Sequence, residues 1–175
     1  MGVLAGPFVA TAALLGISGI LKLRRPAPTA QALVTVGLRR LAPLARPLGA
    51  AELVTATGAL LSGGSLFPWL VTAFYVAFAG FVGFSLASKK DVTDCGCFGA
   101  AQTPPTVLHL LVNLAAAAVA AGVAAGPGGG LRRAVEGQPL LGVPFLVLVL
   151  VCTALAYAAL TLLPRTLNEL AEASR

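Results

Sequence analysis

Five apolar runs separated by short polar segments dominate the chain. They cover roughly Pro7 to Leu23, Pro47 to Leu61, Leu66 to Ala87, Thr106 to Ala125 and Leu140 to Leu163. About 20 apolar residues carry a helix across a hydrocarbon core, so the pattern predicts five membrane spans. The second is short and holds Glu52 within it. Pro144 falls in the first turns of the fifth, where a helix tolerates proline. Between the first two runs, Thr29 to Leu41 predicts a short amphipathic helix at the interface, bounded by prolines at 26, 28 and 43. The segment 126–139 is Gly-rich and reads as a flexible connection, and the tail after the fifth run is polar and helical in character. No internal repeat is evident.

Composition supports the same solvent. Of the 175 residues, 58% are hydrophobic and only 10% are charged, whereas a soluble domain carries about a quarter charged residues. Too few polar side chains remain to cover a water-facing surface. The N-terminus lacks the basic region and small-residue cleavage site of a secretory signal, so it reads as a retained first span. Gly6 stands where an acylation signal wants Ser or Thr.

The net charge of +6 does not point to nucleic acid. Arg24, Arg25, Arg39, Arg40 and Arg46 lie beside apolar spans, where basic residues mark a cytoplasmic membrane surface. With five spans, ten of the twelve Lys and Arg share a side with the segment around residues 95–97. The positive-inside rule then places that segment at the cytoplasmic face. Six of those charges belong to one connection, so the side depends on the second run crossing fully.

Three constellations could carry chemistry. The first is Cys95-Gly96-Cys97 in the compact polar segment "DVTDCGCFGAAQTPP", residues 91–105. Gly96 and Gly99 permit backbone dihedrals closed to other residues, so the segment can turn sharply. A disulfide across one residue closes almost no loop and is a poor staple, while strained disulfides are the labile, exchanging ones. A redox pair is therefore the leading reading, beside a structural turn and half of a metal site. A closed zinc site needs four ligands; only Cys95, Cys97, His109 and Cys152 offer themselves, at spacings that match no zinc pattern. Cys152 reads as a small core residue of the fifth run.

The second constellation is Lys22 with Glu52. Antiparallel neighbouring helices would bring both to one membrane face, and an ionisable residue within a span needs a partner or a duty. An ion pair fixing the hairpin is the simpler reading; a proton-handling or quinone-headgroup site is the sharper one. The third is His109 with Asn113, four apart on one helix face just beyond the cysteine segment. His109 could exchange protons during thiol chemistry or bond a backbone carbonyl, and Asn113 reads as a glue between helices. Small residues at helix-packing spacing recur as Ala12, Gly16 and Gly19 in the first run. They recur again as Ala73, Ala77, Gly80 and Gly83 or Phe84 in the third.

"GISGILKLRRP" (16–26), "AEL" (51–53), "CGCFGA" (95–100) and "HLLVNL" (109–114) stand in the order seen in MauE-like methylamine-utilisation membrane proteins, within the broader DoxX-like group. The chain resembles that family over roughly residues 8–125. The resemblance implies an all-α, polytopic membrane helix bundle with a four-helix core over 1–125, to which the apolar pattern adds the connection 126–139 and an additional transmembrane helix and tail over 140–175. It further implies a role in disulfide chemistry beside a thioredoxin-like partner in a bacterial cytoplasmic membrane. Cys95 and Cys97 would be the redox pair, and Lys22, Glu52 and Asn113 motif positions. A quinone could accept the electrons, although no dedicated motif for one is present. Two departures stand out: the fifth run lies beyond the usual core, and Val112 occupies a position where relatives often carry a basic residue. By analogy the cysteine segment should face the outside, where disulfides persist, against the charge count. The alternative reading is an accessory subunit of a larger membrane complex. A transporter is weaker still, because no paired broken helices are evident.

Overall fold

In a computed structural model of the protein, residues 2–88, 105–126, 131, 135 and 142–161 are described. Within them the regular structure is entirely helical. Six α-helices follow one another: α1 (Ala5–Arg24), α2 (Ala27–Thr35), α3 (Ala45–Leu61), α4 (Leu66–Ala87), α5 (Val107–Ala125) and α6 (Val143–Thr161). Cys95 and Cys97 lie outside the described residues, as do most of the Gly-rich connection and the polar tail.

Four of these helices are long and apolar enough to cross a membrane: Ala5–Arg24, Leu66–Ala87, Val107–Ala125 and Val143–Leu160. The C-terminal apolar run is thus one of the four candidates among the described residues, and of the five runs expected to cross the one not among them is α3. Its 17 residues reach only about 26 Å at 1.5 Å per residue, short of a hydrocarbon core about 30 Å thick.

The expected interfacial helix is also shorter than its hydrophobic pattern implied. It stops at Thr35 because Gly37 adopts a positive φ of 95°. The Gly37 N–H bonds the Val34 carbonyl at 3.0 Å and the Leu38 N–H bonds Leu33 at 2.8 Å. Those two bonds are a Schellman closure, which favours glycine at the left-handed position. After the turn, residues Arg39–Leu44 wind as a 3-10 helix that includes Pro43. Arg39 and Arg40 therefore belong to that turn rather than to one amphipathic face.

The core is built from small residues. Ala12, Ala56, Ala59, Ala116, Ala117 and Ala120 cluster with Phe8, Leu15, Val71 and Tyr75, drawing on α1, α3, α4 and α5. Membrane helices lack a hydrophobic drive toward one another and associate through close packing, which small residues permit. Helix α6 packs on the N-terminal half of α1 through Val149 and Phe145 against Ala5 and Val9. Much of its remaining surface is exposed and apolar, including Val147, Leu150 and Leu155, as befits a lipid-facing helix whose backbone groups are satisfied internally.

The small-residue face predicted for the first run is confirmed, since Ala12, Gly16 and Gly19 are all buried. The one predicted for the third is not. Ala73, Ala77 and Gly80 are exposed, and nothing lies within 4 Å of where a Gly80 Cβ would stand. Helix α4 instead buries Val71, Tyr75, Ala79 and Val82. Larger side chains on this face reach further into the bundle, and the Tyr75 hydroxyl finds a partner there by donating to the Thr11 carbonyl at 2.8 Å.

Candidate functional site

The closest backbone approach involving α1 and α3 positions the first polar cluster. A Cβ at Gly19 would stand 2.6 Å from the Gly49 carbonyl oxygen and 2.9 Å from the Leu53 nitrogen. A Cβ at Gly49 would stand 2.8 Å from the Lys22 Cβ. Only glycine fits at either position. Lys22 and Glu52 each lie three residues further along, one turn on, so this contact brings them together inside the bundle.

There Lys22 Nζ donates to Glu52 Oε1 at 2.6 Å and to Ser18 Oγ at 2.8 Å. Ser18 in turn donates to Glu52 Oε2 at 2.9 Å. The ammonium also lies 4.7 Å from the centre of the Phe78 ring, a cation–π contact. Lys22 and Glu52 are 1% and 0% exposed. Both carboxylate oxygens are bonded, and the ammonium meets two oxygens and a ring face. Such saturation is what a buried ion pair requires if it is not to destabilise the fold. The ion pair predicted from the sequence is present. Ser18, Gly49 and Phe78 were not among the predicted residues, although Ser18 precedes Lys22 by four and so shares its helix face.

The second cluster opens α5. Thr106 is extended and caps the helix by accepting from the His109 backbone N–H at 3.4 Å. Its hydroxyl also lies 2.8 Å from His109 Nδ1. The hydroxyl oxygen accepts from the backbone and keeps both a proton and a second lone pair, so it can serve either tautomer of His109 at Nδ1. The ring is 2% exposed, and the Leu160 backbone of α6 is its other hydrogen-bond partner.

Asn113, one turn on, donates to the His109 carbonyl at 2.7 Å. That bond lies within α5, so the interhelical role expected of Asn113 is not what its amide does. Cys152 is a free thiol on α6 and exposed, which corrects its reading as a core residue. Among the described residues, no group of three or more His, Cys, Asp or Glu could hold a metal ion.

A partly open cavity of about 470 Å³ lies between the two clusters, lined by α1, α4, α5 and α6. Ser18 and Phe78 reach it from the ion-pair side, and His109 and Asn113 from the other. Of the predicted site residues, His109 and Asn113 line this space, whereas Lys22 and Glu52 reach it only through Ser18 and Phe78 beside them.

No curated protein and no solved structure matches the chain. The family described as Methylamine utilisation protein MauE matches residues 2–126. That range holds α1 to α5, the ion pair, the cysteine segment and the His109–Asn113 turn. This integral membrane helix bundle belongs to the MauE family.

Proposed function

We propose that the protein is a membrane thiol–disulfide carrier of a bacterial cytoplasmic membrane. In this reading the Cys95–Cys97 disulfide accepts two electrons from a pair of thiols on a thioredoxin-like partner. A partner thiolate attacks one sulfur of the pair and forms a mixed disulfide, releasing the other sulfur as thiolate. The partner's second thiol then resolves the mixed disulfide, leaving the partner oxidised and Cys95 and Cys97 as two thiols. Reoxidation requires a two-electron acceptor, for which a quinone is the natural lipid-soluble class.

The observation that carries this reading is the placement of His109. It is the chain's single histidine, buried in the first turn of the helix that follows the cysteine segment. A neutral imidazole there, anchored by Thr106, could hold or release a proton as a thiolate forms.

The test is thiol trapping in intact cells with a membrane-impermeant maleimide, in a Cys152→Ser background, with and without prior reduction. Labelling that appears only after reduction, in cells or after lysis, supports a reversible disulfide. Cysteines that stay free and unreactive throughout defeat it.

A second reading has its own support. The exposed face of α4, with Ala73, Ala77 and an open Gly80, suits lateral association in a larger complex. Replacing Cys95 and Cys97 together by serine separates the two: loss of thiol exchange favours the carrier, and altered assembly alone favours an accessory subunit.

A further inference from the structure

The cavity between α1, α4, α5 and α6 is polarised along its length. The lining residues descend in register on three helices: His109 to Val119 on α5, Ser18 to Gly6 on α1, and Leu160 to Phe145 on α6. At one end stand Ser18, His109 and Asn113; at the other stand Gly6, Val119 and Phe145. About ten residues of helix separate the ends, which is roughly 15 Å at 1.5 Å per residue. A volume of about 470 Å³ lies within the roughly 300–1,000 Å³ of small-molecule sites, which combine apolar walls with a few placed polar groups.

The polar end carries one unspent donor beside a buried ring. His109 is buried, with the Leu160 backbone of α6 as a hydrogen-bond partner of its ring. Asn113 spends one amide hydrogen on the His109 carbonyl, leaving a second N–H for another acceptor.

We propose that this cavity binds a lipid-soluble molecule with a carbonyl head and an apolar tail, the carbonyl oxygen accepting a hydrogen bond from Asn113 beside the His109 ring. The tail runs between α1, α5 and α6 toward Val119 and Phe145. Two sources share that chemistry, a quinone ring and the ester of a phospholipid chain. The site is independent of the thiol reading, because no cysteine of the 95–97 pair is needed to form it.

The single histidine makes the test direct. Protein labelled with ¹⁵N-histidine gives one pair of ring resonances, which can be followed in delipidated micelles. Titration with decylubiquinone is expected to move the ring resonances saturably. A shift seen instead with added dioleoylphosphatidylglycerol supports the same site with a lipid ester as occupant. Ala156→Phe and Leu148→Trp, which fill the cavity from α6, are expected to weaken the response at least about tenfold. Circular dichroism checks that each variant is folded, and either one suffices if the other is not. Absence of a shift with both compounds overturns the proposal, as does a shift unchanged in a folded cavity-filling variant. Cys95→Ser with Cys97→Ser should retain the full shift while losing thiol exchange, so that failure of the carrier reading and failure of this site give different results.

Discussion

Gly19 and Gly49 meet backbone to backbone, and each lies against the opposite helix's member of the Lys22–Glu52 ion pair, Gly19 against Glu52 and Gly49 against Lys22. The glycines allow α1 and α3 to approach closely enough for a short pair, and the pair gives both helices a fixed register. The packing contact and the polar contact are two parts of one joint.

Substitution at the joint should therefore be severe. Gly19→Ala places a methyl 2.6 Å from a backbone oxygen, which no side-chain movement can relieve. Overpacking of this kind costs about 1–3 kcal/mol, enough to lower the unfolding temperature measurably in detergent. Gly80→Ala is the matched control. Its Cβ meets nothing within 4 Å, and exchanging glycine for alanine in a helix gains about 0.8–1.0 kcal/mol.

The ion pair should punish single substitutions more than a double one. Glu52→Leu strands a buried ammonium, and breaking one partner of such a pair costs about 3–5 kcal/mol. Combining it with Lys22→Met removes both charges and should recover most of that loss. A double-mutant cycle by denaturant unfolding reads the difference. A double variant no more stable than the worse single one would show that the pair is not the main contribution at this joint.

Thr106 should matter in two ways. Thr106→Val removes the cap of α5, worth about 1 kcal/mol, and removes the hydroxyl that addresses His109 Nδ1. The ¹⁵N resonances of the single histidine should then report a changed balance between its two tautomers. Thr106→Ser should keep both the cap and that balance.

Replacing Cys95 and Cys97 by serine should leave stability nearly unchanged. A link across one residue removes little unfolded-state entropy, so the unfolding temperature of the oxidised protein should match that of the variant. Thiol exchange with a thioredoxin-like partner should disappear in the same variant. A large loss of stability would instead point to a structural staple.

Tyr75→Phe should lose the hydrogen bond to the Thr11 carbonyl while keeping the ring contact with Phe78. The expected cost is about 1 kcal/mol, read from the same unfolding curves.

Much of this was legible in the chain. The shortage of charge fixed the bilayer as solvent, since a water-facing surface cannot be built from 10% charged residues. The apolar runs located the helices, because each helix is dictated largely by the residues within it. Lys22 and Glu52 could be paired because both were too costly to leave alone in apolar spans. His109 and Asn113 could be placed on one face because four residues make about one turn.

What tertiary structure decided were the non-local matters. Which face of α4 turns inward could not be read from its small residues; the fit of Tyr75 and its neighbours against α1 and α5 settled it. The role of Gly49 emerged only once the Gly19 carbonyl stood within 3 Å of its missing Cβ. The end of α2 depended on a left-handed Gly37 within an apparently continuous pattern. The cavity belongs to no single segment, because its volume is what four helices leave between them after packing. Sequence periodicity records the cost of exposing each side chain along its own helix, whereas register and empty space depend on neighbours distant in the chain.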